Sequence, residues 1–156
     1  MKRAQISDDL DRLMVVMDAA FEPNWGEAWT RRQVEDSLIT GRCNYFLITG
    51  NGEAAAPGEV AAGFTLSRLI AGEAELLLLA VDPLHRRRGL GALLIEALTQ
   101  DMRDKGAQRL FLEMRRGNPA ERLYRKFGFE AVGERTNYYR AIDGQRLDAV
   151  TFAKAL

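Results

Sequence analysis

A short basic loop carries the clearest chemical signal in this sequence. It follows the apolar run 74–81, which ends at Asp82-Pro83, and it leads directly into a helical pattern of apolar residues. The first N–H groups of a helix carry partial positive charge, glycines let a bulky anion approach the backbone, and arginines add full charges. The pattern therefore predicts a phosphate site, although a solvated basic turn would have the same composition. The residues concerned are Arg86, Arg87, Arg88, Gly89, Leu90, Gly91 and Ala92.

The spacing of the two glycines excludes two common phosphate loops. A Walker loop ends in Gly-Lys-Ser or Gly-Lys-Thr, but Gly91 is followed by Ala92-Leu93. A dinucleotide-binding loop needs a third small residue at the position of Leu94. The pattern that remains is Arg86-x-x-Gly89-x-Gly91.

A second informative stretch covers residues 110–129 and reads LFLEMRRGNPAERLYRKFGF. Together with the basic loop it resembles the GNAT superfamily of N-acetyltransferases. Three local features are similar to the RimI type, the ribosomal-protein-alanine N-acetyltransferases. They are Leu79-Ala-Val-Asp-Pro83, Leu112-Glu-Met-Arg115, and Asn137-Tyr-Tyr139 followed by Asp143-Gly144 and Asp148-Ala149. The resemblance extends over most of the chain, from residue 21 to residue 152.

The resemblance implies a division of roles around a bound acetyl-CoA. The basic loop would bind the pyrophosphate, and backbone groups of Leu79, Ala80 and Val81 would hold the pantetheine arm and polarise the thioester carbonyl. Glu113 matches the general base and Tyr124 the general acid that protonates the departing thiolate. Each also has a plain structural interpretation, because Glu113 could be a charge at a strand end and Tyr124 a packed helix residue.

One departure from the family pattern concerns Asn118. The family places an asparagine seven residues before the tyrosine, whereas Asn118 precedes Tyr124 by six. Asn118 could contact pantetheine, or it could cap a helix that has Pro119 at its first position, and both can be true.

The acceptor side is marked by one carboxylate and several aromatic residues. Glu75, at the start of the central strand, matches an acidic residue that the family often places near the acceptor amine. The aromatic residues could line an acceptor groove or cover the core. They are Trp25, Trp29, Tyr138 and Tyr139.

Composition narrows the class of protein. The 156 residues are 47% hydrophobic and 28% charged, with 22 basic and 22 acidic side chains, so no net field attracts nucleic acid or an anionic membrane. A single cysteine, Cys43, excludes an intramolecular disulfide, and with the single histidine, His85, it cannot form a zinc site. We expect a cytoplasmic protein without a metal, a membrane segment or a covalent acetyl-enzyme.

The order of predicted elements indicates one α/β domain over residues 1–156, as in GNAT proteins, with a mixed, mostly antiparallel central sheet flanked by helices. Thr30 and Gln33 form a capping box at a helix start, and Ser7 is a plausible N-cap for the preceding helix. The predicted strands are 3–5, 44–49, 59–69, 76–81, 109–114, 130–140 and 147–153. The predicted helices are 7–21, 30–41, 90–105 and 119–126.

The expected function is acetyl-CoA-dependent acetylation of a protein N-terminal amine by direct attack in a ternary complex. The resemblance points to the N-terminal alanine of a small-subunit ribosomal protein as the acceptor. Two alternatives remain open at this point. One is an acetyltransferase of a lysine or small-molecule amine, and the other is a catalytically silent acetyl-CoA-binding regulatory module.

Overall fold

The computed structural model describes residues 2–156, with side chains from residue 7 onward. These residues form four α-helices and six β-strands, and short 3-10 turns cover Pro23–Trp25 and Pro83–His85. The helices are α1 (Lys2–Ala20), α2 (Arg31–Ile39), α3 (Leu90–Asp104) and α4 (Glu121–Lys126). The strands are β1 (Cys43–Ile48), β2 (Gly63–Ile70), β3 (Glu73–Val81), β4 (Arg109–Arg115), β5 (Glu130–Arg140) and β6 (Arg146–Ala155).

The predicted strand over residues 3–5 is wrong, because α1 already includes these residues. Lysine, arginine, alanine and glutamine are good helix formers, and nothing in this short segment interrupts the helix that follows. Ser7 therefore lies inside α1 rather than at its N-cap. The capping box of α2 is confirmed, since the Gln33 amide donates to Thr30 Oγ1 and the Thr30 amide donates to Gln33 Oε1.

All six strands form one sheet in the order β1-β2-β3-β4-β6-β5. Only β3 and β4 run parallel, and the other four pairings are antiparallel. The prediction of a mixed, mostly antiparallel sheet flanked by helices is confirmed. No helix among residues 2–156 has the length and apolar character needed to cross a bilayer.

A bulge at Leu77 divides β3 into two halves. Leu76 pairs with Ser67 and Leu78 pairs with Leu66, so Leu77 is the extra residue on its strand. Before the bulge, Leu76 packs in the core beneath α3 and α4, whereas Leu78 and Ala80 pack in the core beneath α1 and α2. Because of the bulge, the even-numbered side chains of β3 face one core before Leu77 and the other core after it.

The same position opens the sheet. The pairing of β3 with β4 ends at Leu76 and Leu112, although β4 stays paired with β6 through Arg115. Beyond Leu76, one edge of β3 has no partner strand. A cleft begins at this separation.

Candidate active site

The cleft between the separated ends of β3 and β4 has a volume of about 390 Å³. Both strands line it, together with the loop between α1 and α2, the start of α4 and the end of β5. The cleft therefore gathers segments that are far apart in sequence. The predicted site residues that line it are Trp29, Glu75, Leu79, Glu113, Asn118, Tyr124, Tyr138 and Tyr139.

Glu113 occupies the wall formed by β4, next to β6 and β5. Its Oε2 accepts from Thr151 Oγ1 at 3.5 Å and lies 3.2 Å from Arg135 Nε. Its side chain is 22% exposed, so it can be reached from the cleft. Thr151 and Arg135 hold one oxygen of the carboxylate.

Tyr124 lies on α4 and is buried beside Phe129, whose ring it meets edge-on at 5.7 Å. Burial, and secondarily the negative charge of Glu27, raise the pKa of the Tyr124 phenol well above its ordinary range. Tyr124 is consequently protonated throughout the physiological pH range. A protonated phenol at the cleft has the state required of a proton donor.

Tyr138 and Tyr139 enter the cleft from the end of β5. Their rings meet edge-on at 5.2 Å, and Arg135 lies 4.9 Å from the centre of the Tyr138 ring. Burial, followed by the charges of Glu113 and Glu27, raises the pKa of Tyr139 to about 12. The Tyr139 hydroxyl is therefore neutral at physiological pH.

Glu27 is a cleft residue that the sequence pattern did not indicate. It lies in the loop between α1 and α2, and its Oε1 is 2.9 Å from Arg115 Nε, with only 16% and 12% of the two side chains exposed. Trp25, which does not line the cleft, stacks on Arg115 at 4.1 Å. Aperiodic loop sequence gives no sign of such a contact, since it joins positions 88 residues apart.

Asn118 is not the N-cap of α4, because the capping position is Ala120, and its contact with pantetheine stays a prediction. Its Oδ1 accepts from the Ala120 amide at 2.9 Å, which stabilises the turn before α4. Its Nδ2 donates to Glu27 Oε2 at 3.4 Å, at the edge of the cleft. The helix itself begins at Glu121, two residues later than predicted, and Pro119 belongs to the turn before it.

The basic loop lies directly before α3. Gly89 caps the helix with a φ of 77°, and the first amide bonded within the helix is that of Leu93. The amides of Leu90, Gly91 and Ala92 have no partner inside the helix and are free to bind an anion. A Cβ at position 91 would lie 2.9 Å from Leu123 Cδ2, so a larger residue there would require the end of the Leu123 side chain to shift.

The three arginines of the loop differ in what they contact. Arg86 donates to the carbonyl oxygens of Val81 and Ala20, at 3.2 and 3.0 Å, and so ties the loop to the end of β3 and to α1. Arg87 has a left-handed φ of 64°, and Arg88 Nη1 lies 3.4 Å from His85 Nδ1. All three are exposed, so Arg87 and Arg88 supply charge to the helix N-terminus while Arg86 also shapes the loop.

Glu75 lies on the opposite wall from Glu113. Its Oε2 accepts from Arg68 Nη2 at 2.5 Å and from Arg68 Nε at 2.9 Å. Over residues 2–156, no group of three or more His, Cys, Asp and Glu side chains is arranged to hold a metal ion.

The model of the acetyltransferase (GNAT) family matches residues 10–129, which include the basic loop, Glu113 and Tyr124. The chain belongs to the GNAT family of acetyltransferases. The resemblance drawn from the two motifs is thereby confirmed. The match ends at Phe129, so β5 and β6 lie outside it.

Individual GNAT relatives agree with the RimI-type features. The [ribosomal protein bS18]-alanine N-acetyltransferase of Escherichia coli K12 is 38% identical over 109 residues, which are 69% of this chain and 68% of that protein. The crystal structure of the ribosomal-protein-S18-alanine N-acetyltransferase from Escherichia coli superposes with a TM-score of 0.78 at 30% identity. That superposition covers 94% of this chain and 87% of the other.

A more distant GNAT structure shares the fold. Arabidopsis thaliana NAA60 in complex with acetyl-CoA superposes with a TM-score of 0.76 at 19% identity, covering 96% of this chain and 94% of NAA60. The two chains therefore share one fold.

Proposed function

We propose that this enzyme uses acetyl-CoA to acetylate the N-terminal alanine of a small-subunit ribosomal protein in the cytoplasm. The observation that carries the proposal is that Glu113 and Tyr124 line one cleft at the point where β3 and β4 separate. Its similarity to the alanine N-acetyltransferases supports the acceptor.

The residues around the cleft fit acetyl-CoA. When bound, acetyl-CoA would supply an acetyl group activated as a thioester. The amides of Leu90, Gly91 and Ala92 and the charges of Arg87 and Arg88 suit a pyrophosphate. The unpaired edge of β3 after Leu76 offers backbone groups to an extended amide-containing arm.

Glu113 would remove the proton that the acceptor amine loses as its nitrogen bonds to the acetyl carbon. Thr151 and Arg135 hold Oε2, and we assign proton transfer to Oε1. Tyr124 would donate its hydroxyl proton to the sulfur as the carbon–sulfur bond breaks. The proton taken up by Glu113 and the proton given by Tyr124 balance the reaction.

A backbone N–H at the end of β3 would stabilise the negative charge that develops on the thioester oxygen. We assign this role to the segment formed by Leu79, Ala80 and Val81, whose position is fixed by antiparallel pairing with β2. Preorganised donors of this kind need no rearrangement during the reaction.

The chemistry of the amine favours an N-terminus over a lysine. An α-amine has a pKa near 7.7–8.0 and a lysine side chain has one near 10.4. Removing the proton from a lysine at the same pH therefore costs roughly 3.5 kcal/mol more free energy. A carboxylate base without a histidine suits the amine that loses its proton more easily. Cys43 lies on β1, at the far edge of the sheet, which agrees with direct attack rather than a covalent acetyl-enzyme.

Intact-mass analysis of ribosomal proteins tests the proposal. In a strain that lacks the gene, one small-subunit protein with an N-terminal alanine should lose the mass of an acetyl group, and the Glu113→Gln variant should not restore it. A matched pair of synthetic peptides identifies the amine. An Ala-initiated peptide should react, and its N-terminally blocked, lysine-containing counterpart should not. Equal rates on both peptides would contradict the assignment.

A further inference from the structure

We infer that the acceptor chain continues from the cleft into a second hollow on the sheet, where a large apolar side chain at its third position packs on Phe111. This inference rests on the proposed function, because it requires a polypeptide acceptor. It assigns a specificity site to residues outside the catalytic cleft.

The second hollow, here called the outer hollow, has a volume of about 500 Å³. Phe111 lies in its lining, flanked by Arg68 on β2 and Arg135 on β5. Glu75 and Glu113 line both the outer hollow and the cleft, so the two spaces adjoin along β3 and β4. An acceptor whose amine lies at Glu113 can enter the outer hollow without crossing another element.

Contacts of Asn24 tie together two segments on the loop side of the cleft. The Ile142 amide donates to the Asn24 carbonyl oxygen at 2.8 Å, and the Asp143 amide donates to Asn24 Oδ1 at 3.3 Å. These bonds join the loop between α1 and α2 to the connection between β5 and β6. A chain that left the cleft through this junction would have to break them, whereas none of these residues lines the outer hollow.

Two ion pairs give the walls of the outer hollow the character of a peptide-binding surface. Arg68 pairs with Glu75, and Arg135 pairs with Glu113, so guanidinium donors and carboxylate acceptors alternate around the opening. A peptide backbone presents both N–H and C=O groups, and paired walls can satisfy both.

The position of Phe111 specifies which acceptor residue it contacts. It precedes Glu113 by two residues on β4, a separation of roughly 7 Å in a strand. An extended acceptor covers the same distance in two residues, which brings its third side chain to Phe111. The Phe111 ring is half-buried, and Arg109 stacks on it at 4.6 Å, so the floor is apolar and held in place.

Three acceptor amides test the inference with the full-length enzyme and saturating acetyl-CoA. They are Ala-Ala, Ala-Ala-Gly-Ala-Ala and Ala-Ala-Phe-Ala-Ala. We expect kcat/KM for the phenylalanine peptide to exceed that of the glycine peptide by roughly tenfold. In Phe111→Ala this ratio should fall close to one, and Phe111→Leu should restore most of it.

The readout is a ratio within one enzyme preparation, so partial unfolding of a variant cancels. Val132→Ala is the matched control, because Val132 is an exposed apolar residue of β5 that does not line the outer hollow, and it should keep the wild-type ratio. Acetylation of all three amides with equal kcat/KM, or a preference that survives in Phe111→Ala, would contradict acceptor binding in the outer hollow. Neither result would contradict the proposed function. Failure to acetylate the N-terminus of any of the three would overturn the proposed function and this inference together.

Discussion

Glu27 and Arg115 form an ion pair across 88 residues of sequence, with 2.9 Å between Oε1 and Nε. The pair fixes the loop between α1 and α2 against the last residue of β4. Trp25 covers Arg115 on one side, and Asn118 donates to the second oxygen of Glu27 on the other. One contact thus orders one wall of the cleft.

Breaking this pair should destabilise the protein and disturb acceptor binding. In Glu27→Gln or Arg115→Gln, the remaining charge is mostly buried without its partner, so we expect a loss of about 1–3 kcal/mol in the free energy of unfolding. The double variant should lose less than the sum of the two single variants. Urea unfolding of the four proteins in the cycle measures this, and simple additivity would contradict direct coupling. The acceptor KM should rise more than the acetyl-CoA KM.

Removing the proposed base should slow the reaction without unfolding the protein. Glu113→Gln keeps the shape of the side chain, and we expect kcat to fall by about 10²–10⁴. The lost rate should partly recover as pH rises, because the acceptor amine then loses its proton to solvent. Glu130→Gln, an exposed carboxylate at the start of β5, is the matched control. Wild-type turnover in Glu113→Gln would show that Glu113 is not the general base.

Tyr124→Phe should separate catalysis from binding. The variant loses the proton donor but keeps the ring that packs on Phe129, so kcat should fall while the affinity for acetyl-CoA stays near that of the wild type. Steady-state kinetics and calorimetric titration give the two quantities. A weaker affinity with unchanged kcat would instead indicate that the hydroxyl binds the cofactor.

The cofactor loop can be tested with an isosteric pair at Gly89. Its φ of 77° is left-handed, a conformation that aspartate and asparagine tolerate better than other side chains, and no atom lies within 4 Å of an added Cβ. Gly89→Asp places a negative charge beside the proposed phosphate site, whereas Gly89→Asn does not. We expect calorimetry to show acetyl-CoA binding at least about tenfold weaker in the aspartate variant than in the asparagine variant. Equal affinities of the two variants for acetyl-CoA would show that the phosphates do not bind at the N-terminus of α3.

Tyr139 should make the stability of the protein decrease at alkaline pH. Its folded-state pKa of about 12 lies above the value near 10 expected in the unfolded chain. The unfolded state therefore loses this proton first, and the contribution present below pH 10 is lost as pH rises toward 12. In Tyr139→Phe, the free energy of unfolding should decrease less steeply between pH 10 and pH 12. Urea midpoints across that range provide the measurement, and a decline unchanged in Tyr139→Phe would exclude the residue as a cause.

Much of the framework was predictable because its signals are local. The capping box of α2, the apolar run of β3 and the glycine-capped start of α3 depend on residues close together in sequence. Only the start of the first helix was wrong, because residues 3–5 were assigned to a strand although their residue types favour a helix.

The candidate site was predictable only where a family motif marks it. Glu113 and Tyr124 stand in such motifs, and the structure brings both to the cleft. Glu27 could not be found, because a loop glutamate acquires its role from Arg115 and Asn118 in three dimensions. Asn24 could not be found for the same reason, because it joins two distant connections through its carbonyl oxygen and its side-chain Oδ1.

The bulge at Leu77 limits how β3 can vary. Deletion of Leu77 would leave Leu76 and Leu78 regularly paired with Ser67 and Leu66, so Leu78 and Ala80 would still face the core they now fill. The deletion would instead remove the irregularity at which β3 leaves β4, where the cleft begins. An insertion or deletion elsewhere in β3 would turn the side chains beyond it to the opposite face of the sheet. Among functional descendants of this chain we therefore expect residue type within β3 to vary while the length of the strand and its bulge are kept.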